Sequence, residues 1–129
     1  MIDIEAIRKD PYNQCWYDVC YIEELSEDFI REFQNCVSWI YVSVYQKLSE
    51  DFIREFQDKV IWIGICYNQN LSENFIKEFK DKISWEDISR YQKLSKEFII
   101  QFADKIDFYK IMFNNNISQD IKDYCMMFL

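Results

Sequence analysis

The chain repeats itself every 23 residues, and no other feature constrains its fold as strongly. We call the residues that occupy the same place in successive units a column. One column is apolar at five consecutive places: Leu25, Leu48, Leu71, Leu94 and Ile117. Another column is aromatic at five places: Trp16, Trp39, Trp62, Trp85 and Phe108. A period of this length is typical of solenoids, in which a small unit cannot bury its apolar face alone and stacks on its neighbours.

Each unit is predicted to contain two helices, as the unit that begins at Leu48 illustrates. Ser49 is a favourable N-cap, and the two acidic residues after it suit the positive end of a helix dipole. Apolar residues then recur at helical spacing from Phe52 to Val60, which predicts a helix of about 12 residues. A second helix of about 8 residues is expected to begin near Trp62. The sequence therefore predicts an all-α fold, a short α-solenoid of about five 23-residue helix-turn-helix units.

Composition supports this fold class. The single Gly and single Pro leave little turn chemistry for a β fold, and 19% aromatic content argues against disorder. The length of 129 residues predicts one helical-repeat domain. Within it we expect a degraded N-terminal cap at 1–15, repeats at 16–116 and a terminal helix at 117–129.

Charge and cysteine content limit the classes of partner and the compartment. A net charge of −8 disfavours nucleic acid and anionic membranes, because both attract basic surfaces. The longest apolar run, 60–67, is too short to span a bilayer, and the acidic N-terminus does not resemble a signal peptide. The five cysteines include no C-x-x-C pair and fit small buried residues in a reducing compartment. We therefore expect an intracellular protein.

The phrases at 48–60, LSEDFIREFQDKV, and at 88–95, ISRYQKLS, resemble a repeat found in proteins of giant DNA viruses of amoebae. The approximate form of that repeat is W-x-x-I-S-x-Y-Q-x-L-S-E-x-F-I-x-E-F-x-D-K-V, and the resemblance covers about residues 16–112. It implies a viral origin and a place in the host cytoplasm, a viral factory or the virion. Most of these proteins lack an assigned activity, so the resemblance implies the repeat type rather than a function. The departures are 63–68, in the third short helix, and Phe108 in place of Trp.

The sequence contains no recognisable catalytic or cofactor site. The chain has no His, which is the commonest general base, and one Gly cannot form a phosphate-binding loop. Carboxylate pairs such as Glu55 and Asp58 recur from unit to unit, whereas a catalytic pair should be singular. A zinc site without His would need four suitably spaced thiolates, which the chain does not supply. We expect a protein that is not an enzyme and that binds no metal or cofactor.

Two columns admit a structural and a ligand-binding interpretation. The Trp column could stack bases, as in single-strand nucleic-acid binders, but we favour a role in filling the space between units. A column of amides is expected to cap backbone groups at the joint between helices rather than to bind a ligand. Its members are Gln46, Gln69, Gln92 and Asn115.

Two basic columns each adjoin an acidic column, which favours a solvated face with weak ion pairs over a phosphate-binding track. The first contains Arg31, Arg54 and Lys77, and the second contains Lys59, Lys82 and Lys105. Nucleic acid is therefore a less favoured partner.

The pattern as a whole favours a non-enzymatic scaffold or adaptor that binds a host or viral protein. Positions that differ between units should carry specificity, and they form the candidate partner surface: Tyr41, Val44, Gly64, Tyr67, Asn70, Arg90, Ile100 and Lys110. The alternative is a self-assembling structural or virion component. Its candidate contact is the apolar tail of Met126, Met127, Phe128 and Leu129, which lacks the polar face of a solenoid cap and predicts a homo-oligomer, most simply a dimer.

Overall fold

A computed structural model describes residues 2–129 and contains only helices and their connections within that range. The α-helices are α1 (Ile4–Lys9), α2 (Trp16–Ile22), α3 (Glu27–Glu32), α4 (Trp39–Tyr45), α5 (Glu50–Glu55), α6 (Trp62–Asn68), α7 (Glu73–Glu78), α8 (Trp85–Tyr91), α9 (Lys96–Gln101), α10 (Phe108–Met112) and α11 (Gln119–Cys125). Two 3₁₀ turns lie at Pro11–Asn13 and Met126–Phe128. The all-α repeat prediction is thus confirmed.

Two kinds of helix alternate along the chain. We call α2, α4, α6, α8 and α10 the Trp helices, because each begins at the Trp column. We call α3, α5, α7, α9 and α11 the Ser helices, because a Ser caps the N-terminus of each. In every Ser helix the cap hydroxyl accepts a hydrogen bond from the backbone N–H three residues later, as Ser49 does from Phe52 at 3.1 Å. The sequence therefore determines where each Ser helix begins.

The prediction of a 12-residue first helix is wrong. The helix α5 ends at Glu55, and Phe56 leaves helical geometry with φ −107° and ψ 27°. Two side chains then hold the turn. Gln57 donates to the backbone oxygen of Arg54 at 3.0 Å, and the Trp62 indole donates to the oxygen of Gln57 at 3.1 Å. The helix α9 ends at the same place although Ala103 and Phe108 occupy the positions of Gln57 and Trp62, so these bonds support the turn but do not cause it.

The core runs the length of the stack. Neighbouring Trp helices pack side by side, from α2 to α10. Their inward column is fully buried from α4 to α10, at Val42, Ile65, Ile88 and Ile111, and partly buried at Val19 in α2. The Ser helices α3, α5, α7 and α9 each bury a Phe and an Ile, such as Phe52 and Ile53 of α5. Helices of six or seven residues are too short to be stable alone, so this packing between units is the main source of stability.

The C-terminal tail folds back on the last unit. The Phe128 ring stacks on Phe108, with centroids 4.6 Å apart and planes 12° from parallel. In the other units the Trp-column ring packs against two Phe rings of the next Ser helix, but Ile121 and Cys125 take those places in α11. Phe128 therefore supplies the aromatic contact that α11 lacks.

Candidate partner-binding surface

Buried Gln side chains join each unit to the one before it. Gln69 is 4% exposed, and its Nε2 donates to the backbone oxygens of Ser43 at 3.1 Å and Gln46 at 2.6 Å. Its Oε1 accepts from the N–H of Leu48 at 3.0 Å. Gln46 and Gln92 make the equivalent three bonds with their own preceding units. The column thus caps backbone groups at the joint, as predicted, and uses all of its polar atoms on the stack.

The last member of this column is Asn114, not Asn115. Asn114 is fully buried and donates through Nδ2 to the backbone oxygens of Ser89 and Gln92, each at 2.8 Å. Asn115 is exposed. The shift occurs because α10 ends at Met112, earlier than its counterparts, and because an Asn side chain is one methylene shorter than Gln.

Cys and Ser alternate in another buried column, and their side-chain sulfur or oxygen accepts a hydrogen bond from a backbone N–H of the next unit. The hydroxyl of Ser43 accepts from the N–H of Ile61, and that of Ser89 from the N–H of Asp107, each at 2.9 Å. Cysteines take the intervening places in this column. Burial raises the pKa of Cys66 to about 11, although the nearby N–H of Ser84 opposes the rise. This thiol therefore stays protonated and acts as a buried structural group.

Charged side chains also pair between units. Arg31 donates to both carboxylate oxygens of Glu55, at 3.0 and 3.1 Å, and Arg54 bonds Glu78 in the same way. These hydrogen bonds raise the pKa of both guanidinium groups. Lys77 is in the same column and lies over the Phe98 ring at 5.9 Å. The basic column is therefore engaged within the stack rather than free to contact phosphates.

A further inter-unit contact repeats on the Ser helices. Glu50 accepts from the N–H of Ser72 at 2.6 Å and from its hydroxyl at 2.9 Å. Glu27 and Glu73 do the same for Ser49 and Ser95. Lys96 occupies this column next and lies instead over the Tyr124 ring at 4.2 Å. After three units, the contact between a Glu and a cap serine is thus replaced by a contact between a lysine and a tyrosine ring.

The Trp rings are engaged within the fold. The Trp62 ring packs against Phe75 and Phe79, with centroids 6.3 and 5.1 Å away, and its N–H bonds a backbone oxygen. Trp39 and Trp85 have the same contacts one unit away. These contacts support the space-filling interpretation over a base-stacking one.

The structure brings most of the predicted partner-surface residues to one face. Tyr41, Val44, Tyr67, Arg90 and Lys110 all lie on Trp helices, at two equivalent positions of those helices that reach the surface. Arg90 Nη1 donates to the oxygen of Phe113 at 2.6 Å, and Lys110 pairs with Glu86 at 3.1 Å.

Two of the predicted residues lie elsewhere, and a third, Gly64, shares the helix position of Tyr41 and Lys110 but is buried. Asn70 is exposed in the turn after α6, and Ile100 is exposed on the Ser helix α9. Gly64 is buried, which corrects its assignment to the surface. A Cβ on Gly64 would lie 3.0 Å from Val44 Cγ2 and 3.1 Å from Ser43 Cβ, so its lack of a side chain permits the close packing of α4 and α6.

The outer face of the Trp helices is aromatic and aliphatic. Nine large side chains on this face and at its ends are half or more exposed: Tyr17, Tyr21, Ile22, Ile40, Tyr45, Ile63, Tyr67, Tyr109 and Phe113. Tyrosine rings meet edge to face across neighbouring helices, at 4.7 Å for Tyr21 and Tyr45 and 4.5 Å for Tyr67 and Tyr91. The helices α4 and α6 carry no charged residue. We call this surface the Trp-helix face.

The predicted self-association residues remain accessible, although the tail folds back. Met126 is 58% exposed, Met127 71% and Leu129 50%. Phe128 is still 45% exposed beside Phe108. In the tail, Phe128 is therefore held against Phe108, while the apolar side chains on either side of it are exposed.

Within residues 2–129 no helix has the length and apolar character required to cross a bilayer. No cluster of three or more His, Cys, Asp or Glu side chains in that range is arranged to hold a metal ion.

The fold defines a class, a short α-solenoid built from helix pairs about 23 residues long and rich in Trp and Phe. No family model matches the chain, and neither a curated protein nor a solved structure matches it.

Proposed function

We propose that the protein is a non-enzymatic protein–protein interaction scaffold whose partner covers the Trp-helix face. The observation that carries the proposal is the exposure of nine large apolar side chains on and around that face. With aromatic side chains of about 150–250 Å² each, they present on the order of 900 Å². One partner contributes about 800 Å² to a typical stable interface. Seven of the nine lie on the consecutive helices α2, α4 and α6, and Glu86 and Arg90 of α8 separate them from Tyr109 and Phe113. Large exposed apolar patches such as the one on α2, α4 and α6 mark interaction sites in soluble proteins.

The distribution of charge supports this location. The central helices α4 and α6 are uncharged, whereas Asp18 lies toward one end of the face and Glu86, Arg90 and Lys110 toward the other. An apolar centre with a charged rim is the usual anatomy of a protein interface. The tyrosines supply apolar area with a polar tip at low entropic cost, which suits a partner surface.

The proposal extends to a giant-virus origin and a host or viral protein partner, on the strength of the resemblance of the 23-residue phrase. Its site of action would be the host cytoplasm, the viral factory or the virion. Nucleic acid is a poorer candidate, because the arginines that could track phosphates already bind Glu55 and Glu78.

The test is affinity capture of the tagged protein from amoebal host cells, with nuclease treatment in parallel. Ile40→Ser with Ile63→Ser removes two side chains that are 60% and 65% exposed, so folding should be little affected. We expect this variant to lose captured proteins that wild type retains after nuclease treatment. Ile100→Ser tests the remaining candidate position on α9. Loss of partners with Ile100→Ser but not with the double variant would move the interface to the Ser helices.

A second candidate function is self-assembly as a structural or virion component. The exposed Met126, Met127 and Leu129 favour it. Light scattering at tens of micromolar protein should then show an oligomer that reverts to a monomer when 126–129 are deleted. A monomeric full chain under these conditions would contradict the self-assembly function and leave the scaffold proposal standing.

A further inference from the structure

Four tyrosines on the Trp helices α2 and α4 form one connected cluster. The Tyr45 ring meets Tyr21 edge to face, with centroids 4.7 Å apart, and stacks on Tyr41 at 5.4 Å. Tyr41 in turn meets Tyr17 at 5.4 Å. Three of the rings are half or more exposed, Tyr17 at 63%, Tyr21 at 56% and Tyr45 at 50%. We call these four side chains the tyrosine cluster.

The fourth unit shows what such a ring accepts. Tyr91 occupies the same column as Tyr45 and meets Tyr67 edge to face, with centroids 4.5 Å apart. The guanidinium group of Arg90 lies over the Tyr91 ring, 5.0 Å from its centroid. Val44 takes the place of Arg90 in α4. The Tyr45 ring therefore lacks the neighbouring cation that its counterpart has.

A cation over an aromatic ring is a recurrent contact of this fold. Arg31 lies over the Phe52 ring at 5.3 Å, and Lys96 lies over the Tyr124 ring at 4.2 Å. The face of an aromatic ring carries the negative part of its quadrupole, which attracts ammonium and guanidinium groups. An exposed tyrosine ring without a cation of its own is therefore suited to a cation from a partner.

The charge around the tyrosine cluster also favours a cationic group. Asp18 is the one charged residue on α2 and α4, and it lies three positions before Tyr21, so the two are neighbours on the helix surface. Glu23 and Glu24 follow α2, against the single Lys47 that follows α4. The whole chain has a net charge of −8. A partner surface with positive charge is thus complementary to this region.

We infer that the tyrosine cluster receives an arginine side chain of the partner, whose guanidinium group lies over the exposed rings of Tyr21 and Tyr45. Arginine is favoured over lysine because its planar guanidinium group stacks on aromatic rings and is more weakly hydrated. Tyrosine and arginine are also enriched among the residues that dominate interface energies. This inference rests on the proposed scaffold function and names a contact on the α2 and α4 part of the Trp-helix face.

The probe for the test is a nonapeptide of Gly and Ser that carries three arginines, and its twin carries citrulline in their place. Citrulline has nearly the shape of arginine but no charge. Each peptide is titrated to several millimolar into protein with isotope-labelled tyrosine rings, and the ring resonances are followed by NMR. We expect the resonances of the tyrosine cluster to shift with the arginine peptide, at an affinity about two- to fivefold above that of its twin, as for an exposed cation–π contact.

Two variants locate the contact. Tyr45→Leu should weaken binding of the arginine peptide about two- to fivefold. Tyr12→Leu is its matched control, because Tyr12 is 87% exposed and lies outside the cluster. Val44→Arg places an arginine beside Tyr45 as Arg90 stands beside Tyr91, so this variant should no longer bind the peptide at the cluster. Ile100→Arg adds the same charge on α9 and should leave the shifts of the cluster in place. Circular dichroism checks that each variant is folded, and Tyr45→Leu decides alone if Val44→Arg is not.

Three results would each overturn the inference: equal affinity for the two peptides, equal weakening by the Tyr12 and Tyr45 variants, or unshifted resonances of the tyrosine cluster. The affinity capture described above separates the two proposals. Partners that are lost with the Ile40 and Ile63 variant, but retained by Tyr45→Leu, would reject the arginine contact alone. Absence of captured partners and of peptide binding would reject the scaffold function as well.

Discussion

Replacing Gln69 with Leu should destabilise the protein more than any substitution of an exposed polar residue. Gln69 is buried in the middle of the stack, where it follows α6 and bonds the backbone that follows α4 in the preceding unit. Leu has a similar volume but no polar atoms. The change therefore leaves the N–H of Leu48 and the oxygens of Ser43 and Gln46 without their side-chain partner.

The magnitude follows from those three bonds. A buried polar group left unpaired costs about 1–3 kcal/mol. A surface groove that Tyr45, Lys47 and Asn70 help to line borders this site, so water can re-pair part of the backbone, and we expect a total loss of about 3–5 kcal/mol. A chain of 129 residues has a total stability of roughly 6–19 kcal/mol, so a large part would be lost.

The assay is urea unfolding followed by far-UV circular dichroism, with Gln101→Leu as the matched control. Gln101 is exposed at the end of α9, and its substitution should change stability by less than about 0.5 kcal/mol. If Gln69→Leu cost less than about 1 kcal/mol, the buried amides would be incidental to the joint. The account of how units are held together would then be wrong.

Three other substitutions or reactions give sharp outcomes. Gly64→Ala should cost about 1–3 kcal/mol by overpacking, and Val44→Ala should relieve that cost in a double-mutant cycle; additive losses would contradict it. Trp62→Phe should lose about 0.5–1.5 kcal/mol with the indole hydrogen bond, and a neutral result in urea unfolding would show that this bond is dispensable. Iodoacetamide at pH 8 should modify exposed Cys15 and spare Cys66, whose pKa burial raises to about 11; mass spectrometry showing equal labelling would contradict the buried position.

Much of the fold could be predicted because the signals are local or periodic. The Ser caps, the helix starts at Trp and the 23-residue period are all visible in one unit or in comparison of neighbours. The end of the first helix was not predictable in this way. The stripe from Phe52 to Val60 fits a longer helix, whereas the backbone leaves helical geometry at Phe56.

Other outcomes depended on packing between units. Gly64 differs from its column and therefore looked like a specificity position, but it is buried, and a Cβ there would crowd Val44 and Ser43. Asn115 was assigned by strict register, whereas the shorter α10 places Asn114 at the joint.

The central structural claim is that the units are interchangeable modules held in register by contacts 18–26 residues apart. Deleting residues 53–75 removes one whole unit and preserves every column, whereas deleting 53–73 removes most of the same residues and shifts the apolar stripe of the joined Ser helix by two residues, about 200° around the helix. Circular dichroism and small-angle scattering of the two deletions test the claim directly. We predict that the first variant keeps its helical signal per residue and shortens by about 10 Å, while the second unfolds. Equal behaviour of the two variants would contradict the modular account.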